Sequence, residues 1–337
     1  MAFYYHAFGL TFQTSEPIPW LPEQPGTAGA DIRIEFSSPS PNSNPEPDEF
    51  IRAKLLGPAP SSEPRLLLYE RTSDGRFRFQ YRDGTEFTVS ADGCRIRGAW
   101  PKTSTVEDAA TYLLGPVVGF VLRLQGNVCL HASAVSDSTG AIAFMAPAGF
   151  GKSSTAAMLA RWGYAVCTDD ILALAEHENI FQVLPGWPHL RLWPDSVTAI
   201  FGRADALPRL CPASVDWDKC YLNLTDPGFR FQSEPMPLKA IYAPRFDPAS
   251  SDLRVEPMHP MAALQQLLTN TYSWYSLNGA MRAAELDCLT RLVQQVPVRT
   301  LTIRDSNRQG LERQCRAILD DAAAEGIENL FAANPKP

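Results

Sequence analysis

The segment Ala141-Ile-Ala-Phe-Met-Ala-Pro-Ala-Gly-Phe-Gly-Lys-Ser-Ser154 has the order of parts that holds phosphate. An apolar strand runs into a glycine-permitted turn, and a lysine and a hydroxyl open a helix. Backbone N–H groups from Ala148, Gly149, Phe150 and Gly151, with Lys152, Ser153 and Ser154 at the helix start, are the candidate cradle for the phosphates of ATP. Lys152, read as a surface group, neutralises phosphate charge, and Ser153 Oγ is a candidate Mg²⁺ ligand. Ala146 stands where the motif G-x-x-x-x-G-K-[ST] has glycine, and carries strain if that position needs a positive φ.

Asp169-Asp170 follows the strand after that helix. One carboxylate there can hold Mg²⁺, and the other can accept a proton from an attacking hydroxyl. The same pair also fits a turn or a helix N-cap. His131, inside the strand sequence Cys129-Leu-His-Ala-Ser-Ala-Val135, reads alone as a core histidine more readily than as a reactive one. Pro185 to Trp193 brings Arg191 as a candidate phosphate contact and Trp187 as a candidate groove wall, although core packing and a surface ion pair explain them as well. Lys219 reads equally as a phosphate contact or a solvated lysine.

These residues need an α/β scaffold to bring them together. Apolar segments at Val128–Val135, Ala141–Met145, Tyr164–Thr168, Ile171–Ala175, Leu238–Ala243 and Val298–Ile303 read as strands. Lys152–Trp162, Met261–Thr271, Ala280–Gln295 and Asn307–Ala324 read as helices. Val106–Gln125 reads as a helix interrupted at Pro116. Upstream, short strand candidates at Phe3–Leu10, Asp31–Phe36 and Arg65–Glu70 flank a polar, proline-rich stretch from Ser37 to Pro47. Asp74-Gly75, Asp83-Gly84 and Asp92-Gly93 then punctuate alternating segments, as in tight hairpins. The expected organisation is a small antiparallel β domain over 1–104 and a P-loop α/β domain over 105–337.

Composition bounds the partners. Thirty Lys and Arg against 37 Asp and Glu give a net charge of −7, which argues against a dedicated nucleic-acid binder. The apolar run Tyr112–Leu122, broken by Gly115 and Pro116, is too short to span a bilayer. No cationic n-region precedes a cleavage pattern. The seven cysteines are scattered, with no CxxC and so no metal spacing. A cytoplasmic protein with no membrane partner is expected, and a homo-oligomer stays open.

Leu130-His131-Ala-Ser-Ala-Val135, the P-loop, Arg161-Trp-Gly163 and Thr168-Asp169-Asp170 together resemble the catalytic domain of the HPr serine kinase/phosphorylase family. His131 precedes Lys152 by 21 residues and Asp170 follows it by 18, spacings that belong to the resemblance. The resemblance implies that Asp170 takes the proton in phosphorylation, with His131 and Lys152 beside the phosphates. It is nearest to divergent relatives, some of which phosphorylate a serine on lasso-type or other ribosomally made precursor peptides. Those relatives resemble this chain at Tyr5-His-Ala-Phe-Gly-Leu10, at Pro185–Trp193 and at Asp218-Lys219. Pro185–Trp193 contains no acidic residue, so the metal-binding glutamate of the regulatory enzyme has no counterpart there, and Mg²⁺ rests on Ser153 and Asp169. The expected activity is an ATP- and Mg²⁺-dependent kinase acting on a serine of a peptide or small protein. A small-molecule hydroxyl kinase and a non-catalytic nucleotide-binding regulatory or assembly protein are the alternatives.

Overall fold

The computed structural model describes residues 2–25, 29–37, 66–81, 83–212, 217–247, 253–304 and 307–324. The polar stretch 38–47 and Arg65, part of an expected strand, lie outside them. The protein is a mixed α/β structure with several sheets. It divides into two compact units, one of residues 1–126, 209–219 and 273–277, the other of the remaining segments. The chain does not divide at the expected 104/105.

In the first unit, β1 (Phe3–Ala7), β2 (Leu10–Thr14), β3 (Ile32–Ser37), β4 (Leu66–Arg71), β5 (Phe77–Tyr81), β6 (Glu86–Val89) and β7 (Arg95–Ala99) form one seven-stranded sheet in the order β1-β2-β3-β7-β6-β5-β4. The Asp-Gly turns are present, and Gly75, Gly84 and Gly93 all have φ between 75° and 87°. The sheet is not wholly antiparallel, because β3 runs parallel to both β2 and β7. Phe3–Leu10 is also not one strand. Phe8 (φ 55°) and Gly9 (φ 74°) turn the chain back into β2, a hairpin that a phenylalanine does not advertise.

The sheet is two-faced. Phe79, Tyr81, Phe87, Val89, Ile32, Ile34 and Ile96 are buried, and their strand neighbours Arg33, Glu35, Arg95 and Arg97 are exposed. Helices α1 (Val106–Tyr112) and α2 (Val118–Leu124) cover the apolar face, with Phe120 edge-on to Phe77 and Phe79 and Tyr112 stacked on Tyr81. Thr105 and Asp108 close a capping box at the start of α1. Pro116, expected as a break, sits in a π-helical turn over Leu113–Val117, where the wider ladder accommodates its missing N–H. This packing places 106–124 with the β-rich unit.

The second unit is built on β8 (Val128–Ser136), β9 (Ala141–Met145), β10 (Ala165–Thr168), β11 (Ile171–His177), β12 (Ile180–Val183), β15 (Met236–Phe246), β16 (Arg254–Pro257) and β17 (Val298–Ile303). β13 (His189–Leu192) and β14 (Cys220–Asn223) form a separate pair. β9, β15 and β17 are parallel neighbours, and β8 runs antiparallel to β9. All five residues of β9 are buried, as expected of a strand covered on both faces. Ile142 and Phe144 join a core with α3 (Lys152–Arg161), α4 (Pro194–Phe201) and α7 (Arg308–Ala324). Ala141, Ala143 and Met145 join another with α5 (Pro260–Thr269) and α6 (Gly279–Gln295). Among the described residues no helix is long and apolar enough to cross a membrane.

Candidate functional site

The site forms where β9 and β10 end beside the middle of the antiparallel strand β8. β9 delivers the loop 146–151. Gly149 (φ 86°) and Gly151 (φ 79°) adopt the left-handed backbone that L side chains resist, and a Cβ at either would meet open space, not a neighbour. A cradle for a ligand therefore remains clear above the loop. Ala146 is fully buried and is not among the residues with positive φ, so alanine at that position carries no backbone strain. α3 begins at Lys152 directly after Gly151, presenting the N–H groups of its first turn and the positive end of its dipole. Ala148 is half-buried and Phe150 exposed at the loop's tip.

Lys152 is not a surface group. It is 5% exposed, and its ammonium donates to the carbonyls of Ala146 (2.6 Å) and Pro147 (3.1 Å). The lysine thus braces the loop from within. Ser154 Oγ bonds Ser196 Oγ at 2.8 Å, tying α3 to α4.

Register brings the aspartates to the same place. Thr168 lies opposite Ala134 and Ile171 opposite His131, so Asp169 and Asp170 fall alongside the stretch of β8 between them. Asp169 Oδ1 accepts from Ser153 Oγ (2.8 Å) and Ser133 Oγ (2.6 Å), and Oδ2 accepts from the Arg191 backbone N–H (3.0 Å). Asp170 Oδ2 accepts from the Arg191 guanidinium (2.6 Å) and the Tyr272 hydroxyl (3.0 Å), while Oδ1 lies 3.3 Å from His131 Nε2. The Tyr272 ring stands edge-on to the His131 ring.

Asp170 has φ 70°, and Ile171 N–H donates to Asp169 C=O at 2.9 Å, closing a three-residue turn around it. That backbone is costly for a side chain other than glycine, by roughly 1–3 kcal/mol, and such strain concentrates at functional positions. The turn rotates Asp170 away from the ladder and toward Arg191 and Tyr272. His189, two residues before Arg191, is buried, and its Nδ1 has no hydrogen-bond partner. Burial first, and then the Arg191 cation, push its imidazole down to about 3, against a smaller opposing pull from Asp170.

Of the residues singled out in the sequence, His131, Lys152, Ser153, Asp169, Asp170 and Arg191 are brought together, with Gly149 and Gly151 at the loop. Trp187 is 5% exposed and belongs to the interior, not to a groove wall. Lys219 falls in the first unit, its ammonium 6.0 Å from the Trp217 ring centroid. Ser133 and Tyr272 complete the site without any signal in the sequence. Ser133 stood inside the quoted strand with no feature to separate it from a core serine. Tyr272 is 102 residues from Asp170 and no local pattern marks it.

Among the described residues no cluster of three or more His, Cys, Asp or Glu side chains is arranged to hold a metal by itself. That suits Mg²⁺ at a nucleotide, which uses one or two protein ligands together with phosphates and water. Ser153 Oγ and Asp169 Oδ1 are hard oxygen donors joined at the mouth of the loop, and they fit that role.

No protein-family model matches the chain. No curated protein matches it in sequence. Among solved structures it is similar to that of the Hpr(Ser) kinase/phosphatase from Coxiella burnetii, at 12% identity and a TM-score of 0.29, over 59% of this chain and 98% of that one. A likeness of that size assigns neither fold family nor chemistry.

Proposed function

We propose that the second unit is an ATP- and Mg²⁺-dependent phosphotransferase whose acceptor is a serine hydroxyl on a peptide or small protein. A ribosomally made precursor peptide of the lasso type is the substrate class suggested by the resemblance in sequence. The observation that carries the reading is the division of labour between adjacent carboxylates. Asp169 is bonded to the P-loop serine, and Asp170, one residue on, is turned out toward a cation, a phenol and an imidazole.

The loop N–H groups, the α3 terminus and Lys152 bind and orient the triphosphate. Ser153 and Asp169 would hold Mg²⁺, which when bound would neutralise charge developing on the phosphates. Asp170 accepts the proton of the serine hydroxyl as its oxygen bonds to phosphorus and the phosphoanhydride bond breaks, leaving nucleoside diphosphate. Arg191 and Tyr272 hold the Asp170 carboxylate in the orientation that receives that proton, and His131 closes its other oxygen. Binding without transfer needs no such base, which favours an enzyme over a regulatory nucleotide-binding protein.

Mass spectrometry of serine-bearing peptides and of free hydroxyl metabolites after incubation with ATP and Mg²⁺ tests the reading. Phosphate gained on a peptide serine, and lost with Asp170→Asn while nucleotide still binds, is the expected result. Nucleotide binding with no acceptor ever modified, or modification of a metabolite alone, would overturn it.

A further inference from the structure

The exposed face of the first unit's sheet holds a hollow of about 360 Å³ whose lining includes Arg33, Arg76, Arg95, Arg97, Glu35 and Thr88. Four arginines against one glutamate is a local basic excess on a chain of net charge −7. Arg97 is paired with Glu35 at 3.2 Å, and Arg76 with Asp74. Arg33 and Arg95 are different. They are direct partners across the parallel strands β3 and β7, and neither makes a side-chain hydrogen bond or ion pair among the described residues. The charge of Arg95 reaches Asp92 without an ion pair forming. Two like charges on strands about 4.8 Å apart repel. An anion between them removes the repulsion.

We propose that this face docks an extended acidic peptide segment, with Arg33 and Arg95 taking its carboxylates and Arg97 joining them by exchanging its exposed partner Glu35 for the peptide. Arg95 and Arg97 are alternate residues of one strand, about 6.6 Å apart, which is also the spacing of alternate side chains on an extended peptide. Acidic residues at every second position therefore meet them in register, and Thr88 adds a hydroxyl beside them. A short acidic segment senses chiefly the field within a Debye length of about 8 Å, whereas a long polyanion is repelled by the whole chain. Docking by side chains also replaces a route that the topology closes. β5 and β6 each already have a ladder partner on both sides, so neither is open to pairing with a substrate strand.

The inference deepens the phosphotransferase reading, since it rests on that reading for calling the peptide a substrate, while the docking is measured without phosphate transfer. The probe is a fluorescein-labelled peptide of alternating Glu and Ser, followed by anisotropy with the full chain. Binding should weaken about tenfold or more between 0.05 and 0.3 M salt, and a Lys-Ser peptide should not bind. Arg33→Glu with Arg95→Glu should weaken it at least tenfold, and the neutral pair Arg33→Gln with Arg95→Gln at least threefold, each with an unchanged melting temperature. Asp170→Asn should bind the probe at wild-type strength, so that loss of transfer alone leaves this proposal standing. Wild-type binding that salt does not weaken, affinity unmoved in a folded variant, tighter binding of oligothymidylate, or displacement by inorganic phosphate at equal charge would each overturn it.

Discussion

Ser153 Oγ and Asp169 Oδ1 are 2.8 Å apart, although 16 residues and a helix separate them in the chain. The hydrogen bond closes the start of α3 onto the end of β10 and sets both oxygens at one point. Ser153→Ala removes one of the two proposed metal ligands and leaves Asp169 held by Ser133 and Arg191. The apparent affinity for Mg²⁺ should fall at least about tenfold. A metal titration of transfer that superimposes on wild type would sink the assignment.

Lys152→Ala should cost both binding and stability. The buried Ala146 carbonyl loses its donor, a penalty of about 1–3 kcal/mol. Calorimetry should show nucleotide affinity lost and thermal melting lowered; unchanged affinity in a folded variant refutes the loop's role.

Asp170→Asn keeps size and tolerates the positive φ, but it cannot take a proton. Turnover should fall by about 10²–10⁴-fold with nucleotide binding retained. Tyr272→Phe removes one donor to the same oxygen and should cost about tenfold or less, in the range of a single hydrogen bond. Single-turnover rates measure both, and a Tyr272→Phe loss larger than that of Asp170→Asn would reverse their roles.

His189 makes stability depend on pH. Folded, its imidazole is held down to about 3, whereas in the unfolded chain it titrates near about 6.5. Between those values the unfolded state binds a proton that the folded state refuses, so stability rises with pH. The contribution is intact at neutral pH and drains as pH falls from about 6.5 toward 3, by at most about 1.4 kcal/mol per unit. Denaturant midpoints measured from pH 7 to 4 should slope less in His189→Asn than in wild type. Equal slopes would show that His189 is not the group responsible.

What the sequence disclosed is what is local. Ala141–Met145 is a strand as read, Val298–Ile303 likewise, and α3 starts at Lys152, because apolar runs, glycines and helix-start chemistry act over a few residues. Asp169 and Asp170 were legible as a pair at a strand end. What supports them was not. Tyr272 reaches Asp170 only through the isolated pairing of Thr271 with Leu130, and Arg191 through the short pair β13–β14. Strand direction was also hidden: the alternation in β3 is the same whether its neighbours run parallel or antiparallel. The Lys152 side chain was misjudged because a loop's position at the surface says nothing about which of its groups point inward.

The first unit is assembled from three separate stretches, the last of which ends at residue 277. During synthesis the seven strands and the two covering helices leave the ribosome long before the pieces 209–219 and 273–277 exist. At about 5–20 residues per second, the wait from residue 126 to residue 277 is roughly eight to thirty seconds. Through that interval the incomplete unit shares the exit site with an emerging second one. No single cut in the chain separates the two: a fragment ending at 126 lacks two segments of the first body, and one starting at 127 carries those two segments along with the whole of the second.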